Sequence, residues 1–367
     1  MDFPFRPALT AAVQDYASHT PHADAQTVDC SLGVNPYGFA PAVTRALQTY
    51  DYSRIGSYPH TDVLRPAIIR YWRDFAALRA EQITLCNGSF LGLFCLNNIF
   101  SGSARRKVVS FVPTFTDMLT SARFFGMEVV PIPARDAVTL RPDTGALLRA
   151  IGSDTALVYL DRPNNPTGSL LPREDVAQIL TAARRAGCFV LVDEAFADFL
   201  PREEACVPLL ETFDNLIIAR TFSKGFGLAD LRAGYLLAPP RVTELIAKTV
   251  NPFILSESVR LACAEALAHP EQPTAHAEAF ASAKRALRAA ADGALTMADT
   301  DDRTQILTLR APAGADLQAL FLEQGILTVS GREFEALDAS AVRVSIPAGA
   351  DAEKLVAAAA RIGAALA

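Results

Sequence analysis

The chain is short of several things, and each absence narrows what it can be. No apolar run reaches the roughly 18 residues that span a bilayer, so a membrane helix is not expected. The first residues, MDFPFRPALTAAVQDYASH, have no charged stretch followed by an apolar one, so no secretory signal is expected either. No basic block stands out against a net charge of −6, which argues against nucleic acid or an anionic membrane as the main partner. The five histidines and six cysteines show no ligand spacing: there is no CxxC and no HExxH, and no metal site is expected. The cysteines (Cys30, Cys86, Cys95, Cys188, Cys206, Cys263) mostly sit in apolar runs and read as buried, reduced thiols of a cytoplasmic protein. Neither GxGxxG after the first strand nor GxxxxGK[ST] is present, which disfavours dinucleotide and nucleotide-phosphate chemistry. Lysine is scarce: five among 34 basic residues.

What is present is apolar and regular. Half of the 367 residues are hydrophobic, enough for a large core. From Ile83 onward, short β-branched runs alternate with helical patterns: strands at Lys107–Val112, Glu128–Ile132, Ala156–Leu160 and Cys188–Val192, helices at Thr116–Phe125 and Arg173–Ala186. Continuous apolar strands separated by helices predict an α/β fold with a mostly parallel sheet flanked by helices. An Ala-rich helical stretch over 256–292 and a last helix over 351–366 predict a smaller C-terminal α/β domain, with the boundary near 245–255. The expected division is an N-terminal segment 1–40 packing on the small domain and the active site, a large domain 41–250 and a small domain 251–367. A short helix is expected within residues 1–30, followed by the turn-rich loop SLGVNPYGFAP.

Four polar constellations fall at predicted strand ends, where open parallel sheets bind ligands. Asn87-Gly88-Ser89 opens a helix, whose free N–H groups suit a phosphate or simply form a cap. Asp161–Gly168 (DRPNNPTG) is a loop made rigid by two prolines that holds Asn164 and Asn165 at a strand end. Asp193-Glu194 closes the run CFVLV; a buried carboxylate there needs a partner, either a protonated ring nitrogen or a structural cation. Thr221–Arg232 (TFSKGFGLADLR) carries the sole lysine of its region on a hydroxyl- and glycine-rich loop. Lys224 is either an amine nucleophile or an ordinary surface lysine. Arg232 offers a fork for an oxyanion. A phosphate site, an acid for a ring nitrogen, an amide for a ring oxygen and an amine together point to pyridoxal 5'-phosphate.

The segments PNNPTG (163–168), VDEAF (192–196) and RTFSKGFGLADLR (220–232) resemble the fold-type-I pyridoxal-phosphate enzymes. Within these the chain is similar to the group of histidinol-phosphate aminotransferase and threonine-phosphate decarboxylase, from about Cys30 to Arg343. The resemblance implies an aminotransferase that holds its cofactor as an internal aldimine on Lys224. Asp193 would pair with the pyridinium nitrogen and Asn165 with the phenolic oxygen. Ser223 and Arg232 would bind the phosphate, helped by Gly88 and Ser89, and Phe115 would stack on the ring. Tyr58 would reach the cofactor of a neighbouring subunit, implying a homodimer. Arg343 would bind the substrate α-carboxylate, and Asn35 lies in a segment that lines the substrate pocket. Arg332 is either a surface residue or a site for a second substrate anion. Phe196 stands where most of these aminotransferases have Tyr, and losing that hydroxyl should raise the pKa of the aldimine. The alternative to amino transfer is α-decarboxylation of an amino acid or its phosphate ester.

Overall fold

The computed structural model describes Pro7 and residues 27–291 and 294–367. Most of the N-terminal helix and loop expected over residues 1–30 thus lies outside the described residues. The strands in chain order are β1 (Val28–Asp29), β2 (Ile83–Cys86), β3 (Lys107–Val112), β4 (Glu128–Pro133), β5 (Thr155–Asp161), β6 (Phe189–Asp193), β7 (Leu216–Thr221), β8 (Gly234–Leu237), β9 (Thr296–Met297), β10 (Ile306–Arg310), β11 (Ile326–Leu327), β12 (Val329–Ser330) and β13 (Ala341–Ser345).

Seven of them form one sheet in the order β2-β8-β7-β6-β5-β3-β4. Only β8 runs against its neighbours; β7, β6, β5, β3 and β4 are mutually parallel. The sequences of β5 (TALVYLD) and β7 (LIIART) explain their central place. Nearly every residue in them is buried, as a sheet covered on both faces requires. Two cores flank the sheet, one around Trp72, Val158 and Val192, the other around Met118, Tyr159 and Ile217. The helix Arg173–Ala186 shows how local sequence seats such a layer. Glu174 and Asp175 lie in its first turn, Arg184 and Arg185 in its last, and Gly187 ends it at φ 74°.

A four-stranded antiparallel sheet, β12-β13-β10-β9, and the β1–β11 pair organise a third core around Leu287, Phe321, Val344 and Leu355. Phe196 and Phe199, just past β6, pack into this core and tie the two layers together. The stretch 256–292 is two helices, Glu257–Leu267 and Ala277–Ala290, rather than one. Pro270 and Pro273 interrupt it, since proline lacks the N–H a helix interior needs. The first of these helices still packs on the large sheet's core through Ala262, Cys263 and Ala266. The change from the one core to the other falls between Leu267 and Phe280. No helix among the described residues is long and apolar enough to cross a membrane.

Candidate active site

The carboxyl ends of β2, β3, β5, β6 and β7 face one cavity of about 350 Å³, within the range of small-molecule sites. Ser89, Phe115, Asn165, Asp193, Ser223, Lys224 and Arg232 line it, so seven residues from the ends of five strands, β2, β3, β5, β6 and β7, meet there.

The lysine loop follows β7. Thr221 Oγ1 contacts Ser223 Oγ at 3.1 Å, and Arg232 Nη1 donates to Ser223 Oγ at 3.3 Å. Arg232 sits at φ 48°, ψ 47°, a left-handed conformation uncommon for a residue other than glycine, and its Nη1 also donates to the Ala229 carbonyl at 2.9 Å. Two glycines make room for this arrangement. A Cβ on Gly88, at φ +72°, would lie 2.9 Å from Arg232 Nη2, and one on Gly234 would lie 2.7 Å from Ser89 N. The guanidinium, two hydroxyls and the start of the helix Gly88–Ser101 thus converge on one end of the cavity. Lys224 Nζ stands 5.4 Å from the Phe196 ring centroid, over the face of that ring.

At the other end are carboxylates. Asp161 and Asp193 are cross-strand neighbours at the ends of β5 and β6. Asp193 accepts from Tyr159 Oη at 3.2 Å and from Ala195 N at 3.1 Å. Burial, with the Asp161 charge added, pushes its carboxyl up to about 7. Asp161 accepts from Phe115 N (3.1 Å), Asn165 N (2.9 Å) and Asn164 Nδ2 (2.8 Å), yet burial still raises it to about 6. Among the described residues neither carboxylate has a Lys or Arg within ion-pair distance. Glu194 differs, being paired to Arg220 at 2.6 Å and facing the core. Asp117, one residue into the helix after Phe115, also lines the cavity, and burial raises its pKa to about 6.

The remaining expected residues lie around the cavity rather than on its wall. Arg343, on β13, is buried behind Asn165: Nη1 donates to Asn165 Oδ1 at 3.1 Å, and Nη2 to the Ser31 carbonyl. Asn35 fastens the N-terminal segment to the lysine loop, its Nδ2 donating to Gly225 O at 2.8 Å and its N to Lys224 O at 3.1 Å. Leu32 and Val34 of that segment reach the cavity, while Asn35 does not line it. Tyr58 is 69% exposed, stacked on Phe253 at 4.5 Å and away from this chain's own cavity. Arg332 is a surface residue, its side chain 64% exposed and paired to Asp316 at 2.9 Å. Sequence reading missed Asp161, Tyr159 and Asp117. Asp161 was detectable in principle, because it ends an apolar strand just as Asp193 does.

The sheet order, with polar groups gathered at the ends of β2, β5, β6 and β7, is that of an α/β enzyme of the fold-type-I architecture. Residues 27–362 match the family model for aminotransferase class I and II. A histidinol-phosphate aminotransferase of Pectobacterium carotovorum is 30% identical over 349 residues, covering 92% of this chain and 93% of that protein. In structure, the chain is similar to the histidinol-phosphate aminotransferase from Clostridium acetobutylicum (TM-score 0.81, 21% identity, covering 92% of this chain and all, 100%, of the other). It is also similar to L-threonine-O-3-phosphate decarboxylase from Porphyromonas gingivalis (TM-score 0.76, 21% identity, covering 91% and 99%). The chain belongs to the class I and II aminotransferase family.

Proposed function

We propose that this protein is a pyridoxal-phosphate-dependent aminotransferase acting on an amino acid, with Lys224 as its catalytic lysine. The observation that carries the reading is one cavity holding Lys224 between an oxyanion cradle and a buried, unpaired acid. That acid is also the test of fit: Asp193, raised to about 7, lacks only a cationic hydrogen-bond donor, which a protonated pyridine nitrogen provides. Asn165 fits as well, because Arg343 occupies its Oδ1 and leaves its Nδ2 to donate.

Bound there, pyridoxal phosphate supplies an aldehyde carbon that condenses with amines and a ring that takes up an electron pair. The protein's residues do the rest. Arg232, Ser223 and the N–H groups of Gly88 and Ser89 would bind the phosphate. Phe115 would stack on the ring, Asn165 Nδ2 would donate to the phenolic oxygen, and Asp193 would hold the proton on the ring nitrogen. Lys224 Nζ would hold the cofactor by its aldehyde carbon and would serve as the base for the substrate Cα proton. Arg343 anchors the α-carboxylate, acting together with Asn165, to which it is bonded.

The same reading assigns Tyr58 to the cofactor site of a second subunit in a homodimer. Its 69% exposure, beside exposed Tyr52 and Ile55, supports a surface that a partner covers. Six free, buried cysteines support a reducing, cytoplasmic setting. A large cofactor-binding domain, a smaller C-terminal domain and an N-terminal segment crossing between them complete the proposal. Lys224→Ala tests it: imine absorbance and amino transfer should both vanish while the circular dichroism stays that of the wild type. Retention of the imine band in this variant refutes the assignment.

A further inference from the structure

Asp161 has no role in the chemistry proposed above, yet it is bonded to both residues between which the cofactor ring would lie. It ends β5, which neighbours β3 in the large sheet, and it stands beside Asp193 across the β5–β6 register. Its Oδ2 accepts from Phe115 N at 3.1 Å and from Asn165 N at 2.9 Å. Its Oδ1 accepts from Asn164 Nδ2 at 2.8 Å. One carboxylate thus holds the loop after β3, which carries Phe115, and the loop after β5, which carries Asn165. It lines the same cavity as both.

The residue type follows from what it must accept. Phe115 stands at the start of the helix Thr116–Phe124, where a backbone N–H finds no intrahelical acceptor. The Asn164 side chain is fully engaged: Nδ2 also donates to Pro113 O at 3.1 Å, while Oδ1 accepts from Thr167 N at 3.1 Å and Thr167 Oγ1 at 2.7 Å. It cannot turn its oxygen toward Asp161 without breaking those bonds. An ionised carboxylate is acceptor-only on both oxygens, whereas an amide or a protonated acid would aim a donor at one of these three. Burial works against the ionised form and raises Asp161 to about 6, and the charge-assisted bonds offset that cost. Arg343 holds Asn165 from the far side through Oδ1. Asn165 is therefore fixed at its backbone by Asp161 and at its side chain by Arg343, which together aim Nδ2.

We infer that Asp161 is a positioning residue of the cofactor site: its carboxylate sets the spacing of Phe115 and Asn165, and with it the slot that receives the ring and the direction of the Asn165 amide. This rests on the aminotransferase reading and deepens it.

Asp161→Ala, Asn165→Ala and the double variant test it in the holoenzyme. Asp161→Ala should raise the pH at which the imine absorbance titrates by about one pH unit, because Asn165 Nδ2 is no longer held against the phenolic oxygen. Loss of the Asp161 charge alone acts the other way, since a nearby anion favours the protonated imine, so a rise reports positioning. In the Asn165→Ala background the same substitution should raise the midpoint no further, because it acts through that amide. No rise in the wild-type background, or an equal rise in both, overturns the inference. Amide hydrogen exchange in the cofactor-free protein, read by mass spectrometry on overlapping peptides, tests the clamp without turnover. The Phe115 and Asn165 amides should exchange about 10-fold faster or more in Asp161→Ala. Unchanged exchange there also overturns the inference. Asp161→Ser, whose hydroxyl falls one bond short of both amides, carries the same tests where Asp161→Ala does not fold. If the wild type forms no imine band, the cofactor reading fails, and the exchange rates still decide whether Asp161 holds the two loops.

Discussion

Asp193→Asn in the cofactor-free protein exposes how much strain the site stores for its ligand. Burial and the neighbouring Asp161 raise the Asp193 carboxyl from 3.8 to about 7. In the unfolded chain it ionises near the ordinary value. Below about pH 4 both states are protonated and the group costs nothing. Between about pH 4 and 7 the unfolded chain gives up the proton and the native state keeps it, so stability falls as pH rises. Above about 7 the native carboxyl is ionised too and the loss levels off. Three pKa units at about 1.4 kcal/mol each put the full loss at about 4 kcal/mol. Asparagine keeps the shape, can still accept from Ala195 N and can meet Tyr159 Oη, but never ionises. Denaturation midpoints in urea, taken from pH 4 to 8 after cofactor removal, should coincide at the acid end. They should diverge in favour of the variant by up to about 4 kcal/mol at pH 8. Saturating cofactor should narrow the gap, because a protonated ring nitrogen supplies the missing positive charge. Parallel curves across this range, or a wild type that gains on the variant as pH rises, refute the reasoning.

Three further outcomes follow from packing and polarity at named positions. Gly88→Ala puts a Cβ into a φ +72° position 2.9 Å from Arg232 Nη2; cofactor affinity in a fluorescence titration should fall by roughly 10- to 100-fold as a charge-assisted contact is displaced. Lys284 is buried and donates to Thr300 Oγ1 (2.7 Å), Asp301 O (2.6 Å), Thr304 Oγ1 (2.9 Å) and Ile306 O (3.0 Å). Lys284→Met leaves those oxygens without their donor and should cost about 3 kcal/mol or more in the denaturation midpoint. Phe196→Tyr returns a phenol beside the cofactor oxygen, and the pH at which the imine absorbance titrates should move down; no shift means the hydroxyl does not reach it.

The legibility of this chain was uneven for physical reasons. Parallel strands buried on both faces need uninterrupted apolar runs, so β3, β5, β6 and β7 could be read locally. Lys224, Asp193, Asn165, Ser223 and Arg232 could be proposed from the sequence because each ends such a strand or lies on the loop that follows it, where open parallel sheets bind ligands. Asp161 was passed over because its role is relational: it faces Asp193 only through the β5–β6 register. Asp117 lies on a helix, and its spacing alone does not distinguish a cavity wall from a capping acid. The helix break near Pro270 was visible in the residues but was outweighed by the alanine pattern on either side.

The sequence by itself determined the α/β class and, through four strand-end constellations taken together, pointed to the cofactor, because these depend on local periodicity and on residues adjacent in the chain. Only the tertiary structure decided which side chains share a wall. It put Arg343 behind Asn165, Asn35 on the lysine loop rather than in the cavity, Arg332 in solvent, and Leu32 at the mouth. Those placements span up to 312 residues of chain. Long-range packing sets them, and local propensity carries no record of it.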